Sequence, residues 1–261
     1  MRALHTLYHA VAYYASLVVF AVLAFLLNLF CLGGAWLPAT DKRERFFQRR
    51  VHAQFALFVR WLQLVRVVPV RYVGFERANF SGGRLVVCNH PSLIDVGWLL
   101  ARIPEAVCIY KPDVAHNPLF GATARRAGYL ASNRGHHLLR LAASKLAAGH
   151  TLLVFPEGTR TRGCDLNPLK PGFLVMARMA RAPIQLVRIT CDSNLLAKGN
   201  AWWKLPRLPA HITVSLGPCL PPPGSDIHAA AEEIENWYRR TRPVEPSAQL
   251  PLEVARVRVE A

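Results

Sequence analysis

A chain of 261 residues can hold one large domain, or a smaller domain together with an anchor. Its formal net charge of +16 indicates an anionic partner, such as a membrane surface, nucleic acid or a phosphorylated metabolite. A hydrophobic content of 52% argues against a nucleic-acid-binding arm, and six scattered cysteines without CxxC spacing argue against a metal site or a disulfide framework.

The N-terminal quarter of the chain is predicted to be a membrane anchor, residues 1–67. No Lys, Arg, Asp or Glu occurs from Ala10 to Trp36, and a helix of that length would reach ~40 Å, enough to cross a bilayer core of ~30 Å. The basic cluster between Lys42 and Arg50 favours the cytoplasmic side for everything that follows. A second helix, residues 51–67, has a wide apolar face, which predicts a position in the membrane interface beside the first helix. A core helix of the soluble domain is the alternative.

Beyond the anchor, strand-like and helix-like runs alternate. The predicted strands are residues 67–73, 85–88, 107–110, 128–131, 151–155, 184–190 and 212–216. The predicted helices are residues 92–102, 118–126, 136–148, 172–180 and 226–240. This alternation indicates an α/β domain over residues 68–242, with a mostly parallel central sheet flanked by helices. Residues 243–261 show little patterning and are expected to form a flexible tail.

The first stretch that carries chemistry is the exit of the predicted second strand. An apolar run ending at Cys88 is followed by His90, by Pro91, which suits a first helical turn, and by Asp95. On one continuous helix His90 and Asp95 would lie ~140° apart, but a histidine at the strand-to-helix corner can meet an aspartate one turn into the helix. Such a pair can fix the imidazole tautomer and stabilise the imidazolium. The alternative is a core or capping histidine beside an ordinary helix-terminal aspartate.

The second such stretch follows the predicted fifth strand. Phe155-Pro156-Glu157-Gly158-Thr159-Arg160 is a sharp turn that carries charge, and Gly158 would let a ligand approach the backbone closely. Arg160, with Arg162 nearby, can bind phosphate through paired N–H groups.

These two stretches resemble the conserved blocks of the glycerolipid acyltransferases of the 1-acylglycerol-3-phosphate acyltransferase type. Residues 89–95 match the first block, a His and an Asp separated by four residues, and residues 155–160 match the third block without a change. Lys111 together with residues 118–121 and 128–134 resembles the second block, and residues 169–172 resemble the lysine-glycine element after the third. The likeness runs in the expected order from about residue 83 to 220.

The resemblance implies a role for each matched residue. His90 is the expected general base that removes the proton of an attacking hydroxyl, and Asp95 orients it. The expected substrate-binding residues lie in the second and third blocks: Lys111, Arg134, Glu157, Gly158, Thr159 and Arg160. Of these, Arg160, Arg134 and Lys111 would hold the acceptor's phosphate. Glu157 would accept hydrogen bonds from an acceptor hydroxyl or from neighbouring backbone, and Gly158 could donate an N–H to the developing oxyanion.

The function that this resemblance implies is acyl transfer from acyl-CoA or an acyl carrier protein to the free hydroxyl of a lysophospholipid, first of all 1-acylglycerol-3-phosphate. No metal and no bound cofactor are expected, because the thioester is a co-substrate. The expected location is the cytoplasmic face of a membrane, most simply a bacterial inner membrane. An anionic membrane surface is an expected partner, and nucleic acid is not. The alternatives are a different lysolipid or hydroxyl acceptor, a metal-dependent hydrolase, and a non-catalytic protein that binds anionic lipid.

Overall fold

In the computed structural model, residues 2–34, 36–80, 82–161 and 166–242 are described. The predicted tail, residues 243–261, and Arg162 lie outside these ranges. Within these described ranges, seven strands are found: β1 Val70–Val73, β2 Leu85–Cys88, β3 Ala106–Tyr110, β4 Leu130–Ala131, β5 Thr151–Val154, β6 Ile184–Cys191 and β7 Ile212–Leu220. The same ranges hold seven α-helices: α1 Arg2–Gly33, α2 Asp41–Leu64, α3 Asp95–Leu100, α4 Gly121–Arg126, α5 Gly135–Ala147, α6 Gly172–Ala180 and α7 Ile227–Arg240. Every predicted strand and helix is therefore found, and most of them have shifted ends.

The seven strands form one sheet in the order β1-β7-β6-β2-β5-β3-β4. The five strands from β6 to β4 run parallel, β7 is antiparallel to β6, and β1 is parallel to β7. The prediction of a mostly parallel sheet is confirmed, and it follows that β2, β3, β4, β5 and β6 all end at the same edge. In open α/β sheets ligands bind outside the carboxyl ends of the strands.

Helices cover both faces of the sheet, which explains why the sequence of β2 is apolar throughout. Val86 and Cys88 pack into one hydrophobic cluster with α1 to α4, while Leu85 and Val87 pack into a second cluster with α5, α6 and α7. All four side chains are fully buried. Burial of one such aliphatic side chain contributes ~1.5–3 kcal/mol, so this short central strand is held from both sides.

The first helix lies along the domain and is attached to it at both ends. Near its start, Tyr13 and Tyr14 donate hydrogen bonds of 3.0 and 3.1 Å to the carbonyl oxygens of Trp202 and Trp203. Near its end, the buried Asn28 accepts from the N–H groups of the first turn of α4 at 2.9 and 3.1 Å. Among the described residues this is the one helix long and apolar enough to cross a membrane, and its outer face exposes large apolar side chains.

The second helix begins earlier than predicted. It begins at Asp41, where Thr40 caps it, and its inner face joins the same hydrophobic cluster as the sheet. His52 and Gln63 on this helix bond to the carbonyl oxygens of Leu100 and Val70 at 2.8 and 2.9 Å. One face of α2 therefore packs on the domain, whereas Leu57 and Leu64 stay exposed, and its place in the membrane interface stays a prediction.

The basic cluster at the start of α2 is also partly engaged with protein. Arg45 bonds to Asp41 and to Glu105, both at 2.9 Å, and Arg49 pairs with Glu105 as well. Glu105 immediately precedes β3, so these pairs lie at the amino end of the strands. Arg45 and Arg49 are therefore partly engaged by Glu105, a partner that the local sequence pattern does not reveal. The orientation of the cluster toward a membrane stays a prediction.

Candidate active site

Both predicted motif segments leave the sheet side by side. β2 and β5 are parallel neighbours, so the residues that follow them emerge at the same edge. The rings of His90 and Phe155 stack with their centroids 4.3 Å apart and 24° between their planes. The stacking packs one face of the imidazole and restricts the orientation of the ring.

The predicted pair of His90 and Asp95 is in direct contact. The His90 Nδ1 atom lies 2.9 Å from Asp95 Oδ2. Because a carboxylate oxygen accepts, Nδ1 carries the proton in this pair and Nε2 is the nitrogen that can accept a proton from a ligand. The imidazole retains 20% of its exposure, whereas the carboxylate is completely buried.

Ser92 completes the arrangement around Asp95, which the sequence did not reveal. Its backbone N–H donates to Asp95 Oδ2 and its hydroxyl donates to Asp95 Oδ1, both at 2.6 Å. Burial raises the pKa of the Asp95 carboxyl, and the hydrogen bonds from His90 and Ser92 oppose that rise. Ser92 is itself buried, and its hydroxyl is committed to this carboxylate.

Glu157 is buried and joins the two motif segments. Its Oε1 accepts from the backbone N–H of His90 at 3.0 Å and from the Thr161 hydroxyl at 2.6 Å. Its Oε2 accepts from the Asn167 N–H at 2.9 Å and from the Asn167 side chain at 2.6 Å. In this structure Glu157 therefore takes the second of its two expected roles, as acceptor for neighbouring backbone. Thr161 and Asn167, outside the matched blocks, were not anticipated.

Asn89 fixes the exit of β2 from the other side. Its side chain accepts from the Ile189 N–H and donates to the Ile189 carbonyl, both at 2.8 Å, and so binds β2 to the neighbouring β6. This residue opens the first matched block and was not singled out. Its signal was the presence of a polar side chain directly after a buried strand, where backbone groups need partners.

The turn after β5 differs from expectation at Gly158. The residue has a left-handed φ of 65°, and its N–H donates to the Phe155 carbonyl at 3.0 Å, so this N–H closes the turn in the structure. A Cβ at this position would lie 2.8 Å from Lys170 Nζ, which places the amine of the lysine-glycine element over the turn. The sequence predicts that a ligand approaches the Gly158 backbone closely; in the structure the Lys170 side chain lies at this position.

The two residues that follow contact the loop between β6 and β7. Thr159 accepts a hydrogen bond of 2.7 Å from Lys198, and the Arg160 Nη1 donates to the carbonyl oxygens of Leu196 and Ala197 at 2.9 and 3.1 Å. Arg160 is half-buried. These contacts hold the guanidinium at the same edge as His90.

Lys111 and Arg134 also lie at this edge, because they follow β3 and β4. Both side chains are exposed. Strands in a sheet are ~4.8 Å apart, so the exit of β3 is about two strand spacings from that of β2, and β4 is one further. The topology therefore groups all eight predicted site residues along one edge.

One group of potential metal ligands lies elsewhere. Atoms of Asp41, Glu44 and His150 are within 4.8 Å of one another, at the amino end of the strands. Arg45 pairs with Asp41, and Lys145 with Glu44, so two cations already neutralise these carboxylates. The group is a network of ion pairs that fastens α2 to the sheet.

The sheet therefore carries a histidine-aspartate pair and cationic side chains along its carboxyl edge. Residues 69–190 match the family model described as Acyltransferase, and all eight predicted site residues fall within that segment. Over this segment, a little under half of its length, the chain is similar to that family.

The chain is also similar to curated 1-acyl-sn-glycerol-3-phosphate acyltransferases. It is 31% identical to the enzyme of Cocos nucifera over 54% of this chain and 47% of that protein, and 32% identical to that of Helicobacter pylori over 40% and 47%. These alignments span about half the length of each relative. The chain is also 36% identical to the lyso-ornithine lipid O-acyltransferase of Pseudomonas aeruginosa, over 41% and 42%.

The fold is shared with a solved structure. The crystal structure of the 1-acyl-sn-glycerophosphate acyltransferase of Thermotoga maritima matches with a TM-score of 0.68 and 21% identity, over 92% of this chain and 95% of that one. The match includes the N-terminal helices, because it covers nearly the whole chain.

Proposed function

We propose that this protein transfers an acyl group from a thioester to the free hydroxyl of a lysophospholipid, with 1-acylglycerol-3-phosphate as the first candidate acceptor. The observation that carries the proposal is the 2.9 Å contact between His90 and the buried Asp95, at the edge where Arg160 is held. The names of the relatives from Cocos nucifera and Helicobacter pylori support the acceptor.

In the proposed mechanism, His90 Nε2 takes the proton of the acceptor hydroxyl as the oxygen attacks the thioester carbonyl. An alcohol is a poor nucleophile near neutral pH, and a positioned base contributes about 10²–10⁴-fold to such a step. Asp95 holds the Nδ1 proton and stabilises the imidazolium that forms. Collapse of the tetrahedral intermediate expels the thiolate, which receives the proton from His90. These steps require no metal and no bound cofactor.

The phosphate of the acceptor is assigned to the cations along the edge. Arg160 uses Nη1 for the loop carbonyls, and its Nη2 can donate to a phosphate oxygen. Lys170, above the turn at Gly158, is a further cation near this position. Lys111 and Arg134 are proposed to extend the anion site toward β3 and β4. Glu157 is proposed to hold the framework of the site, because its carboxylate already has four donors.

The proposed location is the cytoplasmic face of a membrane. A lysolipid and its product stay in the bilayer, whereas acyl-CoA or an acyl carrier protein arrives from the aqueous side. The exposed apolar face of α1, with Trp202 and Trp203 beside it, supports contact with the bilayer on the side of the molecule that carries the site.

A second candidate acceptor is a lyso-ornithine lipid, which the name of the Pseudomonas aeruginosa relative gives. The two acceptors differ in the group that the cations must bind. Arg160→Ala should weaken use of a phosphorylated acceptor most, so its effect on each acceptor distinguishes them.

The test is a product assay with purified protein in detergent. Lysophosphatidate, lyso-ornithine lipid and lysophosphatidylethanolamine are each supplied with acyl-CoA or acyl carrier protein, and products are identified by mass spectrometry. His90→Ala and Asp95→Asn should each lower turnover by about 10²-fold or more, with unchanged circular dichroism. His116→Ala, an exposed histidine that follows β3, is the matched control and should retain turnover. Full turnover by His90→Ala would contradict the mechanism.

A further inference from the structure

A cleft lined in part by Pro209, in the loop between β6 and β7, is not used by the proposed reaction. It has a volume of about 640 Å³ and lies between the first turns of α1, the end of α2 and the start of β1. Sites for small ligands typically measure about 300–1,000 Å³. The cleft is therefore large enough for the head group of a lipid.

The polar side chains that line this cleft are cationic or neutral. They include His5, His9 and Arg66, and the described residues of its lining contribute no carboxylate. His9 is 8% exposed, and its Nδ1 lies 2.9 Å from the His5 carbonyl, which can only accept. Nδ1 therefore donates to this carbonyl, which fixes the His9 ring in the lining of the cleft.

Arg66 has a backbone conformation that residues other than glycine rarely adopt. Its φ of 51° is left-handed, immediately after the C-cap of α2, a position that glycine usually occupies. A non-glycine residue in this conformation is strained, and such residues cluster at active sites and ligand-binding positions. The planar guanidinium it supplies matches the geometry of a phosphate group.

The position of the cleft indicates which anion it meets. Val70 pairs with Ile212, which pairs with Cys191, so the cleft opens at the same edge of the sheet as His90. Directly beside it, the first turns of α1 expose Leu4 and Leu7. A ligand here would meet the Arg66 guanidinium at one end and an apolar helix face at the other, which is the pattern that an anionic amphiphile fits.

We propose that this cleft binds the phosphate-bearing head group of an anionic phospholipid, with its chains along the exposed face of α1. The site is distinct from the acceptor site and would tie the enzyme to anionic lipid in its membrane. The proposal concerns binding and does not depend on the proposed reaction.

The test is isothermal titration calorimetry of the full chain in neutral detergent micelles. The probes are dioctanoyl phosphatidylglycerol, dioctanoyl phosphatidylcholine and sn-glycerol 3-phosphate. We expect phosphatidylglycerol to bind at least about tenfold more tightly than either of the others, because only it combines net negative charge with chains. Equal binding of phosphatidylcholine would overturn the proposal, and equal binding of glycerol phosphate would overturn the assignment to a lipid.

Four variants locate the binding site. Arg66→Gly relieves the backbone and should fold at least as well as the wild type, yet bind phosphatidylglycerol about tenfold more weakly. His9→Gln should weaken binding as well. Arg71→Ala, an exposed arginine on β1 outside the cleft, should leave it unchanged. Unchanged binding by Arg66→Gly, or loss of binding in Arg160→Ala instead, would overturn the proposal.

Discussion

Removal of the Ser92 hydroxyl should show how much one hydrogen bond to Asp95 contributes to stability and to the pH dependence of turnover. In Ser92→Ala the backbone N–H still reaches Asp95 Oδ2, but Oδ1 loses a hydrogen bond of 2.6 Å inside a completely buried environment. A hydrogen bond to a charged group contributes about 1.5–3 kcal/mol, and the loss should appear in the free energy of unfolding when the carboxylate is ionised.

The same substitution should change the pH dependence of turnover. The Ser92 hydrogen bond opposes the rise that burial causes in the pKa of Asp95, so its loss should raise that pKa further. The carboxylate then loses its charge at a higher pH, and the acid limb of the kcat profile shifts to higher pH. Urea unfolding in mild detergent and kcat against pH measure the two effects. Ser132→Ala, an exposed serine after β4, is the control. The reasoning is refuted if Ser92→Ala has the stability and acid limb of the wild type.

Three further substitutions test contacts that fix the fold around the site. Asn89→Ala leaves the N–H and carbonyl of Ile189 without their side-chain partner and should cost about 1–3 kcal/mol of unfolding free energy in urea titrations. Asn28→Ala removes the cap of α4 and should increase amide hydrogen exchange at residues 122 and 123. Burial lowers the pKa of His150, so this ring stays neutral in the native state at pH values where it binds a proton in the unfolded chain. The stability should therefore fall as the pH drops from about 6.5 toward the pKa of the folded state. His150→Gln should remove this pH dependence of stability.

Each of these predictions has a control and a contradicting result. Asn133→Ala, at an exposed asparagine, should leave the unfolding free energy unchanged. If Asn133→Ala and Asn89→Ala lower it equally, the loss in Asn89→Ala is not due to the contacts with Ile189. Exchange confined to other helices after Asn28→Ala would contradict the proposed cap. His116→Gln should retain the wild-type pH slope, and a flat wild-type slope between pH 5 and 7 would contradict the assignment to His150.

The order of the elements and the central site were predictable because both depend on local patterns. β2 and α6 have the predicted ends, since an uninterrupted aliphatic run and a glycine-led apolar helix mark their own boundaries. The contact between His90 and Asp95 was predictable from the corner between strand and helix. Their catalytic roles stay predictions that the variants test.

Most of the features that were not predicted depend on partners far away in the sequence. His52 on α2 bonds to a carbonyl 48 residues away. Glu157 was expected to accept from an acceptor hydroxyl or from neighbouring backbone, and its partners His90 and Asn167 come from both sides of it in the chain. Gly158 is different, because its N–H was expected to bind an oxyanion and instead closes a local turn at Phe155. A single sequence shows which groups need partners but does not show which partners they find.

The loop between β6 and β7 links the first helix to Arg160, the residue proposed to bind phosphate. Its carbonyl oxygens at Trp202 and Trp203 are held by two tyrosines of α1, and those at Leu196 and Ala197 are held by Arg160. Only a few residues of chain separate these two attachments. A change in the depth or tilt of α1 would therefore move the same short segment that positions the Arg160 guanidinium. If α1 lies in the bilayer as proposed, we predict that acceptor binding responds to bilayer thickness.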